Sequence, residues 1–160
     1  MQHFCEALQH NSWIISISSS EIISSFFSVC HYAGFFLLVG SIALVDLRVL
    51  GVAGRGQTAT TMAKQLFPWM WTGLVFACVS GFFLFAGDAT DFYGAPVFRL
   101  KMLVLLAAIV VGIIVEWQVP RWDRRPSISL GAKSIALLSL LLWIATILTA
   151  LEVAAINGVG

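Results

Sequence analysis

The sequence predicts an all-α fold, an integral membrane four-helix bundle with a short N-terminal helix at the membrane surface. Two observations lead to this prediction. Of the 160 residues, 59% are hydrophobic and only 11% are charged, whereas charged residues make up about 25% of a typical soluble domain. In addition, four stretches approach the length of about 20 apolar residues that a helix needs to cross a hydrocarbon core of about 30 Å.

The N-terminal segment, residues 1–20, precedes the first apolar stretch. Phe4, Leu8 and Ile15 recur near helical spacing among polar residues, which indicates a short helix lying on the outer surface of the membrane. The segment contains no Lys or Arg and so lacks the basic region of a secretory signal peptide. We therefore expect it to be retained.

Three of the four spans are defined by an absence of charge. No charged residue occurs within Ile22–Val45, Gln65–Gly87 or Ser134–Leu151. Each of these stretches is close to the length that a membrane-spanning helix requires. They predict the first, second and fourth spans.

The third span has charged residues near both of its ends. Its charge-free part runs only from Met102 to Val115, and Lys101 and Glu116 flank it directly. Long charged side chains near a helix end can reach the membrane interface, so residues 98–118 can still form a span. We therefore predict a single membrane domain of residues 1–160, with spans at about residues 22–45, 67–86, 98–118 and 134–155.

The distribution of basic residues predicts the orientation of the chain. Lys and Arg are enriched in loops on the cytoplasmic side of a membrane, and seven of the nine basic residues lie in the first and third connections. Both connections should be cytoplasmic and both termini outside, in a bacterial inner membrane. The seven residues are Arg48, Arg55, Lys64, Arg121, Arg124, Arg125 and Lys133.

His31 is the first candidate for a functional residue, because an ionisable group inside a span is costly. It lies about ten residues into the first span, on a helix face with Ser28, Gly34 and Ser41. Small and hydroxyl residues of this kind favour contact with another helix. An imidazole there can be an axial ligand of haem b, a copper ligand, a proton-handling group or a hydrogen-bonded structural residue.

A haem ligated by two histidines cannot form within one chain, because the other two histidines precede the first span. Haem b would need His31 with Met102, a five-coordinate iron, or a second copy that donates its own His31. Copper could instead involve Cys30, His31 and Cys78. Neighbouring residues of a helix diverge by about 100°, however, which disfavours Cys30 and His31 on one ion.

On the outer side, charged residues near the span ends are expected to form an ion pair that stabilises the bundle. Arg99 and Lys101 open the third span, and Glu152 lies near the end of the fourth. The sequence therefore predicts that Glu152 pairs with one of these two basic residues.

On the inner side, Glu116 is placed to pair with Arg48 or Lys133. Asp46 and Arg48 follow the first span directly, and we expect them to fix the inner end of that helix rather than to bind a ligand. These six charged residues complete the set of candidate intramembrane pairs: Asp46, Arg48, Arg99, Lys101, Glu116 and Glu152.

Four segments that cover most of the chain carry a family resemblance. They are HYAGFFLLVGSIALVDLRVLG (His31–Gly51), LFPWMWTGLVFACVSGFFLF (Leu66–Phe85), FRLKMLVLLAA (Phe98–Ala108) and ALLSLLLWIATI (Ala136–Ile147). Together they resemble a bacterial family of small four-helix membrane proteins of unknown function. The resemblance implies a topology and no established activity.

A more distant similarity connects His31 and Lys101 with two other groups of membrane proteins. A histidine early in a glycine-rich first span and a lysine opening a later span resemble the membrane domain of copper-resistance D proteins and small b-type cytochromes. The sequence departs from the cytochromes because it lacks paired histidines.

The expected function is that of a non-enzymatic inner-membrane protein, because the chain has no phosphate-binding loop, nucleophile elbow or zinc-protease motif. Its partners should be the lipid bilayer and either itself or other membrane subunits. The net charge of +1 gives no basis for binding nucleic acid. The alternatives are a haem or metal electron-transfer protein that uses His31, and a copper or proton-linked transporter that uses His31, Lys101 and Glu152.

Overall fold

The computed structural model describes residues 9–10, 12–54, 56–124 and 127–156, and excludes the side chains of residues 91, 93 and 153–156. Within these ranges the chain forms helices and no strands, so the predicted all-α class is confirmed. The helices are α1 (Ser12–Ser18), α2 (Glu21–Leu50), α3 (Ala59–Gly87), α4 (Ala89–Gly94), α5 (Pro96–Trp122) and α6 (Leu130–Ile156).

Four helices are long and apolar enough to cross a membrane. They are Glu21–Leu50, Ala59–Gly87, Pro96–Trp122 and Leu130–Glu152. The helices extend beyond the predicted spans because backbone hydrogen bonding continues past the first polar side chain. The C-terminal end of α2 is set by Gly51, whose φ of 80° lies in the left-handed region that favours glycine.

The four long helices form two antiparallel hairpins packed into one bundle. Helix α2 packs most extensively against α3, and α5 against α6, while α2 also contacts α6 and α3 contacts α5. The α2–α3 and α5–α6 connections lie at one end of the bundle, which the basic residues predict to be the inner end. Helices α1 and α4 lie at the other end.

The α2/α3 hairpin is held at close range by two facing glycines, Gly34 and Gly73. A Cβ atom on Gly34 would lie 2.9 Å from the carbonyl oxygen of Gly73, and one on Gly73 would lie 2.6 Å from the carbonyl oxygen of Gly34. Only residues without side chains permit this backbone approach, which maximises van der Waals contact in a membrane where lipid competes for apolar surface.

The N-terminal helix α1 packs against α3 and α2 at the outer end. Near it, the Thr90 hydroxyl donates a hydrogen bond of 2.7 Å to the side-chain oxygen of Gln9. Two residues used to predict this helix, Phe4 and Leu8, lie outside the described residues. Its position at a membrane surface stays a prediction.

At the inner end, Asp123 connects the two hairpins. The Thr60 amide in the first turn of α3 donates a hydrogen bond of 3.1 Å to Oδ2 of Asp123, which follows α5 directly. Burial would raise the pKa of this carboxyl group, but hydrogen bonds from Thr60, Thr58 and Ala59 outweigh burial and hold the pKa below its ordinary value. The carboxylate also suits the positive end of the α3 dipole.

Replacing Asp123 with alanine should lower the free energy of unfolding by about 1 kcal/mol at neutral pH, as for the loss of a helix cap. Because the folded-state pKa is depressed, the carboxylate stabilises the protein at neutral pH and loses this effect as acidification protonates it. Unfolding of the two proteins in detergent, followed by circular dichroism at several pH values, measures the difference. A difference that stayed constant into the acidic range would contradict this account.

Candidate functional site

His31 projects from α2 toward α3 and is half-buried. Its Nδ1 atom lies 2.9 Å from the carbonyl oxygen of Ala77. A carbonyl oxygen can only accept, so Nδ1 carries the hydrogen atom in this contact. The hydroxyl oxygen of Ser80 lies 3.4 Å from the same nitrogen and donates its own hydrogen atom to the Phe76 carbonyl.

The second ring nitrogen of His31, Nε2, makes no hydrogen bond to any residue that the structure describes. In a neutral imidazole whose Nδ1 is protonated, Nε2 carries an unshared electron pair. Histidines that ligate metals commonly have this arrangement, in which a backbone carbonyl fixes the ring and the other nitrogen binds.

The surroundings of the ring are shaped by a glycine and by aromatic residues. A Cβ atom on Gly81 would lie 2.8 Å from Cε1 of His31, so this glycine leaves the space that the imidazole occupies. Toward the outer end, Phe27 and Phe83 stack with ring centroids 4.5 Å apart. The imidazole is therefore packed against α3 below an aromatic pair that connects the same two helices.

Among the charged residues that the structure describes, Lys101 on α5 interacts electrostatically with His31. It is half-buried and close enough for a Coulombic interaction with the imidazole. Arg99 and Glu152, the other two members of the predicted outer pair, are exposed. The pairing of Glu152 with Arg99 or Lys101 stays a prediction.

On the inner side, the structure gives two candidate residues partners other than those expected. Glu116 accepts a hydrogen bond of 3.1 Å from the indole nitrogen of Trp71, which connects α5 to α3. The guanidinium Nε of Arg48 donates a hydrogen bond of 2.7 Å to the carbonyl oxygen of Gln57. The Glu116 contact joins two helices of the bundle, and the Arg48 contact fixes the α2–α3 connection to the end of α2.

Asp46 lies within α2, where the sequence indicated a residue just past the first span. Its side chain is completely buried and faces α6, where the Ser139 hydroxyl lies beside it. The signal that could have located it is the helical spacing Leu38, Ile42, Asp46 and Val49, four buried positions on one face. Sequence reasoning gave more weight to its charge than to this spacing.

The copper alternative receives no support from the arrangement of possible ligands. Among the described residues, no three His, Cys, Asp or Glu side chains come together as metal ligands do. Cys30 is half-buried and Cys78 is exposed. Cys30, His31 and Cys78 therefore do not form a three-ligand site.

Comparison with known proteins adds a family and no activity. Residues 10–156 match the model of a family that is described only as a family of unknown function (DUF6644). No curated protein and no solved structure matches the chain. The expectation of an uncharacterised family is confirmed, and the match covers all four long helices.

Proposed function

Because this chain belongs to the family of unknown function (DUF6644), we propose its function from its own geometry. It is a non-enzymatic subunit of a bacterial inner-membrane assembly, either a homo-oligomer or a small subunit beside other membrane chains. His31 is the residue through which it acts. The orientation with both termini outside belongs to the same proposal and is supported by the basic residues of the two inner connections.

The observation that carries this proposal is the orientation of the His31 ring. A polar atom without a partner is costly at membrane depth, so a ligand on the second nitrogen would be favoured. Here Nδ1 is bonded to the Ala77 carbonyl, and Nε2 has no hydrogen-bond partner among the described residues. The imidazole is thus oriented in advance for a ligand.

Haem b is the cofactor that this arrangement favours. Haem iron binds imidazole nitrogen, and the bound group supplies one-electron transfer. A cavity lined by Leu38, Trp143 and neighbouring residues measures about 10 Å³, so it is far too small for a porphyrin, and His31 is not among its lining residues. The haem would therefore lie between His31 and a partner, and a second copy could contribute its own His31.

The test is the absorption spectrum of the protein purified in mild detergent from cells supplied with a haem precursor. We expect a Soret band in the wild type and its complete loss in His31→Ala, because alanine removes the ligand. A ratio of one haem to two chains would indicate that two copies share the iron.

Cys30→Ala provides the matched control, because Cys30 lies at the same depth of α2 on a diverging face. This variant should retain the Soret band. A colourless wild type that purifies with its partner subunits would rule out the haem proposal. It would leave only a structural role for the protein as a subunit.

A further inference from the structure

The interface between α2 and α6 contains a carboxyl group that no described residue satisfies. Asp46 is 0% exposed, and neither of its oxygens has a hydrogen-bond partner. The hydroxyl group of Ser139 lies beside it and is likewise buried without a partner. One helical turn along α6, the indole nitrogen of Trp143 is a third buried group without a partner.

No opposite charge compensates for this carboxyl group within the described part of the chain. The charged side chains at this end of α2, α3, α5 and α6 and in the adjoining connections are Arg48, Lys64, Glu116, Arg121, Asp123, Arg124 and Lys133, and none forms an ion pair with Asp46. An ionised carboxylate that is buried without a partner is strongly disfavoured, and such a group becomes neutral instead.

A metal cation is a poor occupant of this site. The described side chains leave three buried oxygens without a partner there, two from Asp46 and one from Ser139, whereas hard cations such as Ca²⁺ and Mg²⁺ take six or more oxygen ligands. The nearby Trp143 indole can only donate a hydrogen bond and cannot ligate a cation. A proton needs one carboxylate oxygen, and the resulting O–H group can donate to the Ser139 hydroxyl.

We propose that Asp46 is a proton-binding site, which holds the carboxylic acid form at neutral pH at the contact between the two hairpins. The site is separate from His31 and does not depend on a haem. Release of the proton would leave an unpartnered charge between α2 and α6, so the packing of the two hairpins would respond to pH. Because Asp46 lies near the inner end, the proton would come from the cytoplasmic side.

Infrared spectroscopy of the full-length protein tests the proposal directly. At neutral pH the wild type should show the C=O stretch of a protonated carboxylic acid, shifted by exchange into D₂O, and Asp46→Asn should remove it. Glu116→Gln is the control, because Glu116 carries a carboxyl group elsewhere in the same bundle, and this variant should leave the band unchanged. Ser139→Ala should shift the band, and this variant keeps the test informative if Asp46→Asn does not fold.

Thermal unfolding at several pH values is the second readout. Because an aspartic acid in the unfolded chain ionises at about pH 4, the wild type should lose stability progressively as the pH rises from about 4 through neutral, and Asp46→Asn should lose much less. The proposal is wrong if no Asp46-dependent band appears at neutral pH, or if both proteins respond equally to pH. It is also wrong if added sodium, potassium or calcium abolishes the band at constant pH, since the site would then bind a metal cation.

Discussion

Replacing Gly34 with valine should separate the α2/α3 hairpin, the largest effect that we expect from a single substitution. A Cβ atom at this position would lie 2.8 Å from the amide nitrogen of Ala77 and 2.9 Å from the carbonyl oxygen of Gly73. Both are backbone atoms, so no rotamer change can relieve the overlap. Overpacking typically costs about 1–3 kcal/mol and occasionally more, and we expect a loss above about 3 kcal/mol here because two helices must move apart.

Gly40→Val is a closely matched control. It makes the same change in the same helix, but a Cβ atom on Gly40 would meet nothing within 4 Å. The intrinsic effect of valine on helix formation is the same at both positions, so the difference between the variants isolates the helix contact. Unfolding in detergent followed by circular dichroism, with gel filtration, measures it. Equal stabilities would refute the close crossing.

The Gly34 substitution also tests whether the site depends on the crossing. His31 lies one turn from Gly34, and its Nδ1 contact with the Ala77 carbonyl requires α2 and α3 to remain close. If haem binds, Gly34→Val should lower haem content even in the fraction that stays folded. Gly40→Val should not.

Replacing Trp143 with alanine should have the second largest effect, a loss of about 3 kcal/mol in the free energy of unfolding. The side chain is 2% exposed and is the largest of the fully buried side chains in the described structure. It also lines the small cavity beside Leu38 and Gly112. Removing the indole would enlarge that cavity and eliminate van der Waals contacts among the helices.

Two further variants serve as controls for Trp143→Ala. Trp69→Ala removes an indole that is 57% exposed and should cost little. Trp143→Phe keeps an aromatic ring in the core while removing the unpartnered N–H group, so it should cost much less than alanine. If Trp143→Ala were no more destabilising than Trp69→Ala in detergent unfolding, the packing of the bundle core would be incorrect.

Hydropathy was sufficient to locate the four long helices, because membrane solvation constrains every residue of a span in the same way. Their ends were less predictable. Helix α2 runs to Leu50, five residues past the predicted end at Val45. A charge such as that of Asp46 ends the apolar pattern but does not end the backbone hydrogen bonding. The short helix α4 was not predicted, because it is too brief to show a periodic pattern.

Only part of the candidate site could be predicted from the sequence. His31 was evident as the histidine inside a span, but its partner is the carbonyl of Ala77, a main-chain atom that no residue type marks. The expected partners of Glu116 were side chains of opposite charge, whereas the helix crossing brings Trp71 to it instead. Such choices depend on how each helix is rotated about its axis, which hydropathy does not define.

The sequence by itself determined that the chain has helices able to span a membrane and that one histidine lies within the first of them. Both results depend only on composition and on position along a single helix. Only the tertiary structure decided which nitrogen of His31 stays available and that Asp46 is buried without a partner. Both facts arise from contacts between helices. The facing glycines Gly34 and Gly73 set the distance at which α2 meets α3, and the packing of one hairpin on the other encloses Asp46 against α6.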